Sequence, residues 1–165
     1  MIQIVKDSDT RPWFFLQTAH TTYGIRVMKT GHLEHLYYGK RITVDSQDPS
    51  SCAPLVIQRA FAPGNTCTYD REHPQISMED VCLEVGTLGK GDIREPFLEV
   101  RLADGSVTSD FTFDSYKIIT LKEREQCLQD SGLPHSYSEA ETDSAECLQI
   151  VLQDVTNHLE LQLFY

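Results

Sequence analysis

The chain has 165 residues, 40% hydrophobic and 24% charged, which suits one ordinary globular domain with a core of its own. A formal net charge of −11 repels phosphate backbones and anionic lipid, so nucleic acid and membrane surfaces are excluded as partners. No apolar run approaches the ~18 residues of a membrane helix. The first apolar cluster, Trp13-Phe14-Phe15-Leu16, is too short for a signal peptide and follows a mixed-charge stretch, so the expected location is cytoplasmic.

In chain order, residues 13–19 and 22–28 read as strands, and Lys29-Thr30-Gly31 turns the chain into a third strand over 32–38. Residues 45–54 are rich in Asp, Ser and Pro and read as loop. A short apolar run over 55–61 leads into the turn Pro63-Gly64-Asn65. Residues 66–96 carry Pro74, Gly86, Gly89, Gly91 and Pro96 and admit no long element. Ser77-Met78-Glu79-Asp80 has the form of a capping box that opens one helical turn. Residues 97–103 alternate, Asp104-Gly105 is a strong hairpin signal, and residues 106–113 and 116–121 continue a meander. Residues 122–129 suit a short helix, and Ser131-Gly132-Leu133-Pro134 breaks the chain. Leu148, Ile150 and Leu152, then Leu159, Leu161, Leu163 and Tyr165, form two alternating rows around a turn at Thr156-Asn157. Such strands imply an all-β sandwich with little helix. The last row runs to Tyr165, so the domain is expected to be incomplete at its C-terminal end.

Chemical signatures are sparse. No GxGxxG or P-loop pattern occurs. The five cysteines, at 52, 67, 82, 127 and 147, show neither CxxC nor zinc spacing and read as free thiols; no metal is expected. His32 and His35 are poor joint ligands and read as surface histidines. Glycoside hydrolysis needs two facing carboxyls, and 25 acidic residues nominate no pair. Trp13, Phe14, Phe15, Tyr37 and Tyr38 could stack on a sugar, although core packing accounts for most of them.

Several segments, in order, resemble the first domain of glycoside hydrolase family 36 α-galactosidases. They are Leu33-Glu34-His35-Leu36-Tyr37-Tyr38-Gly39-Lys40-Arg41, Gln58-Arg59-Ala60-Phe61-Ala62-Pro63, Tyr69-Asp70, Gly91-Asp92-Ile93-Arg94-Glu95-Pro96, Asp110-Phe111, Ser115-Tyr116-Lys117-Ile118, Gly132-Leu133-Pro134 and Glu139-Ala140-Glu141-Thr142. The resemblance covers roughly residues 12–165. It implies one N-terminal β-supersandwich domain of mostly antiparallel strands over residues 1–165, preceding a catalytic (β/α)₈ barrel that this chain lacks. It further implies retaining hydrolysis of terminal α-galactosides such as melibiose and raffinose by the full-length protein, with no cofactor. Its partners would be that barrel and neighbouring subunits. The chain alone would then contribute assembly and active-site rim contacts but no catalytic residue. Arg59, Phe61 and Asn65 are the candidates for a rim contact made in trans. Gln58 departs from the family, which often has an acidic residue before the arginine, and residues 78–88 depart too. The alternative reading is a free-standing carbohydrate-binding β-sandwich module.

Overall fold

A computed structural model describes residues 1–57, 68–92, 95–128 and 146–165. Two antiparallel sheets carry the architecture. The first contains β1 (Ile2–Lys6), β2 (Pro12–Gln17), β3 (Thr21–Val27) and β4 (Leu33–Lys40), side by side in chain order. Two-residue strands β5 (Thr87–Leu88) and β6 (Gly91–Asp92) form a parallel pair. The second main sheet is β7 (Thr112–Thr120), β8 (Glu146–Asp154) and β9 (Leu159–Phe164), again in chain order. A single α-helix, α1 (Leu121–Leu128), and two 3₁₀ segments, Pro49–Leu55 and Met78–Asp80, complete the described elements. The fold is an all-β sandwich, as the alternation predicted.

The core lies between the main sheets. Phe14, Ile25, Val27 and Leu33 from the first meet Leu148, Ile150 and Leu152 from the second, with Val85 and Phe111 filling in from the connections. Phe14 is fully buried and meets the Tyr116 ring edge-on at 5.1 Å. Each such side chain contributes about 1.5–3 kcal/mol by leaving water. The outer face of the first sheet is covered as well: Val5, Trp13, Phe15 and Val44 pack with Cys52 of the first 3₁₀ segment. Burial on both faces explains why β2 reads as a continuous apolar run rather than an alternation.

The β3–β4 turn ties the sheets together. Gly31 sits at φ 85°, a region open to glycine at little cost. A Cβ there would lie 3.1 Å from the Thr112 Cβ, and the Gly31 carbonyl accepts from Phe113 N at 2.8 Å. At the far end, the buried Asp154 carboxylate closes the β8–β9 turn by accepting from Asn157 N at 3.0 Å and Asn157 Nδ2 at 2.6 Å.

Several expectations need correction. Residues 2–6, where the sequence predicts no element, form β1. The Asp104-Gly105 turn exists, with Gly105 at φ 87° and Leu102 N donating to Ser106 O at 2.9 Å, but no hairpin strands flank it. Leu98 instead donates its N–H to Gly86 O at 3.3 Å, and Leu98 and Val100 pack against the core. The return strand begins only at Thr112. The 45–54 loop contains a 3₁₀ segment, started by Pro49 and capped by Asp48, which accepts from Ser50 N at 3.0 Å. Ser77 makes no side-chain cap, so the capping box does not form. His32 is 4% exposed and is not a surface histidine. The Pro63-Gly64-Asn65 turn and the break at 131–134 lie outside the described residues.

Candidate functional site

Arg59, Phe61 and Asn65 also lie outside the described residues, so the structure gives the two flanks of their segment. On the N-terminal flank, Leu55 and Val56 pack against the Trp13–Phe15 cluster. Ile57 is exposed and lines a cleft of about 360 Å³, with Arg11, Arg26, Glu34, Gln75 and Asp80 among its other walls. Arg26 Nε pairs with the nearly buried Glu34 at 2.6 Å, and its guanidinium lies 5.4 Å from the centroid of the Trp13 ring. Arg11 is held by Asp7 at 3.0 Å and Asp9 at 2.6 Å. Arg26 and Glu34 neutralise each other, whereas Arg11 is outnumbered by its two aspartates. Trp13, a candidate sugar platform from the sequence, is 7% exposed beneath Arg26 and offers no free face. Tyr38 is 70% exposed and rests edge-on against Tyr23.

On the C-terminal flank, Tyr69 is clamped into a polar hub centred on Asp110. The Tyr69 hydroxyl donates to Asp110 Oδ2 at 2.8 Å, and Lys90 Nζ reaches the same oxygen at 3.3 Å while lying over the Tyr69 ring. His32 Nε2 meets Asp110 Oδ1 at 2.8 Å, and His32 Nδ1 faces Thr30 Oγ1 at 2.9 Å. The Asp110 N–H donates to Asp154 Oδ2 at 3.0 Å. Burial pushes the Asp110 carboxyl up, but the hydrogen bonds from His32 and Tyr69, with the charges of His32 and Lys90, outweigh it and hold it down at about 2. Burial and the Asp110 bond push the Tyr69 phenol well up.

A second hub centres on Glu84. Tyr23 OH donates to its two oxygens at 2.8 and 2.7 Å, Tyr165 OH donates to Oε1 at 2.7 Å, and His35 Nδ1 lies 3.8 Å from Oε2. Burial first, and the Glu84 carboxylate with it, push both phenols far up.

Thr30, His32 and Asp110 line up as hydroxyl, imidazole and carboxylate, the order of a nucleophilic triad. Thr30 and His32 are 9% and 4% exposed, which denies a substrate access, and both Asp110 oxygens are engaged by several segments. A glycosidase acid needs a carboxyl pushed up toward neutrality. Among the described residues, the carboxyls with a resolved shift (Asp70, Asp104, Asp110, Glu123 and Asp154) all move down. Both hubs are suited to fixing loops and sheets, and the Asp110 carboxyl is held down rather than pushed up toward neutrality. Among the described residues, no group of three or more His, Cys, Asp and Glu side chains could hold a metal ion.

Tyr69 and Asp110 stand out in the sequence only within Tyr69-Asp70 and Asp110-Phe111, two of the segments that carry the family resemblance, whereas nothing marks Glu84 and His32 is expected at the surface. The available signal was the pairing of aromatic and acidic residues in a segment with little regular structure.

The sequence model described as "Glycosyl hydrolase family 36 N-terminal domain" matches residues 31–165. The chain is 36% identical over 154 residues to the bifunctional alpha-galactosidase/sucrose kinase AgaSK of Mediterraneibacter gnavus, an alignment covering 92% of this chain and 15% of that protein. It is 32% identical over 152 residues to the alpha-galactosidase AgaA of Geobacillus stearothermophilus, covering 92% of this chain and 19% of that one. Among solved structures, the galactosidase domain of AgaSK superposes with a TM-score of 0.69 at 31% identity, covering 98% of this chain and 21% of that one. The alpha-galactosidase from Lactobacillus brevis gives 0.68 at 28% identity, covering 98% of this chain and 20% of its own. The chain thus spans about a fifth or less of the length of these relatives.

Proposed function

The chain belongs to the glycosyl hydrolase family 36 N-terminal domain, and from that membership we propose that it is the non-catalytic front part of an α-galactosidase acting on terminal α-galactosides such as melibiose and raffinose. The observation that carries this reading is the asymmetry of the match: 92% of this chain aligns, but only 15–19% of the two proteins. Within the longer protein its role is assembly with the catalytic barrel and with neighbouring subunits, in the cytoplasm. Residues 58–67 supply the rim contact, with Arg59, Phe61 and Asn65 reaching a substrate held by another subunit. Support comes from the flanks. The apolar cluster around Trp13 holds one end of the segment and the Asp110 hub holds the other, so two rigid anchors bracket ten residues.

The test is made in the longer enzyme that carries this chain. Arg59→Ala removes a contact made equally to bound substrate and transition state, so KM should rise roughly tenfold with kcat within about twofold. Unchanged steady-state constants for melibiose would remove Arg59 from the rim.

A further inference from the structure

Tyr69 is fixed from several separate stretches of chain. Its hydroxyl donates to Asp110 Oδ2 at 2.8 Å, just before β7, and the His32 ring of the β3–β4 turn meets its ring edge-on at 4.9 Å. Lys90 Nζ, from the β5–β6 turn, lies 4.8 Å from the ring centroid. The Tyr69 N–H donates to Ile76 O at 2.9 Å and closes a turn in which Asp70 Oδ1 accepts from His73 N at 2.7 Å. Through its own N–H, Asp110 is bonded to Asp154 at the end of β8. The phenol is therefore referenced to both main sheets at once.

The turn that begins at Tyr69 runs to the cleft beside Ile57, where Gln75, Ile76 and Ser77 form part of the wall. Both flanks of residues 58–67 thus meet at one cleft. Between Asn65 and Tyr69 the chain can span at most about 14 Å. A buried carboxylate network is seldom the most stable filling of a site, because desolvation offsets most of its attraction. What a charge-assisted bond adds is direction. Apolar packing could hold this corner of the fold together, but it would fix the phenol less narrowly.

We propose that Tyr69 is a positioning residue for the rim contact: its hydroxyl bond to Asp110 sets where residues 58–67 present Arg59, Phe61 and Asn65 to the substrate. This rests on the rim reading above and adds the group on which that contact depends. Tyr69→Phe keeps the ring between His32 and Lys90 and removes only the bond that fixes it. The fold stays, and the rim contact loses register. A small misplacement far from the reacting atoms is enough to weaken binding. Because the rim contact is made equally to bound substrate and transition state, the loss falls on KM and not on kcat.

Steady-state assay of the longer enzyme that carries this chain, with melibiose, tests this. Tyr69→Phe should raise KM roughly fourfold with kcat within about twofold, a part of the effect expected for Arg59→Ala. In an enzyme already carrying Arg59→Ala, Phe61→Ala and Asn65→Ala, which itself has a raised KM, Tyr69→Phe should change KM by less than about 1.5-fold, since no contact is left to position. Tyr23→Phe removes a bond of the same kind from the Glu84 hub and should leave KM at the wild-type value. If the triple variant raises KM and Tyr69→Phe does not, the positioning role is overturned and the rim reading stands. An equal Tyr69→Phe effect with and without the rim residues, or an equal effect of Tyr23→Phe, would mean that the hub acts only through stability, and would also overturn it. A triple variant with unchanged constants would remove the rim reading and the positioning role together.

Discussion

Asp110→Ala is expected to lower the stability of the chain by about 3 kcal/mol, a fall of roughly 10 °C in Tm for a domain of this size. The carboxylate is the common acceptor for Tyr69 OH and His32 Nε2 and the counter-charge of Lys90. Truncation leaves the imidazole and the phenol without an acceptor in a water-poor site, and an unpaired buried polar group costs about 1–3 kcal/mol. The same carboxylate gives an acid limb of definite sign. Its folded value, about 2, lies below the unfolded value of about 3.9, so its contribution is complete above pH ~4 and is lost as pH falls toward ~2. With the side chain 27% exposed, solvent screening reduces that contribution to about 2 kcal/mol. Urea denaturation of wild type and variant at pH 7 and pH 2.5 should show the difference shrinking at the lower pH. A constant difference would mean that Asp110 acts through packing rather than charge.

Glu84→Ala should cost about 2–3 kcal/mol, because two phenols that donate to its 11% exposed side chain lose their acceptor together. This hub joins three places far apart in sequence: Tyr23 on β3, Glu84 in the connecting region and Tyr165 next to β9. Its pH signature is opposite to that of Asp110. Both phenols titrate higher in the folded chain than in the unfolded one, so the stability linked to them is full below pH ~10 and declines as pH rises above it. The paired Tyr23→Phe and Tyr165→Phe change should flatten the loss of stability between pH 9 and about pH 11. An alkaline limb of unchanged slope would show that other groups drive it. Removing Asp110 and Glu84 together should be nearly additive, since the two hubs share no residue.

Much of the sandwich was legible in the sequence because period-two alternation reports a sheet with one buried face. Leu148, Ile150 and Leu152 are each almost fully buried, and the row from Leu159 packs beside them. The same pattern misled at residues 97–103. Alternation says that one face is buried but not which backbone supplies the hydrogen bonds, and at Leu98 that partner is Gly86 rather than a hairpin neighbour. The polar hubs were least legible. A histidine or carboxylate carries no local mark of burial, and His32, Asp110 and Glu84 are fixed by partners dozens of residues away. Arg59, Phe61 and Asn65 came from family resemblance rather than pattern, and the structure adds the two anchors on either side of their segment.

Steady-state assay of the purified chain with p-nitrophenyl α-galactoside decides whether this part of the molecule is a scaffold or an enzyme. Release of nitrophenol at the rate of buffer alone is expected, because the described carboxyls with a resolved shift all move down and, in the triad-like array of Thr30, His32 and Asp110, the hydroxyl and imidazole are buried. Turnover that follows the chain through every purification step, and that scales with its concentration, would contradict the assignment as a non-catalytic domain.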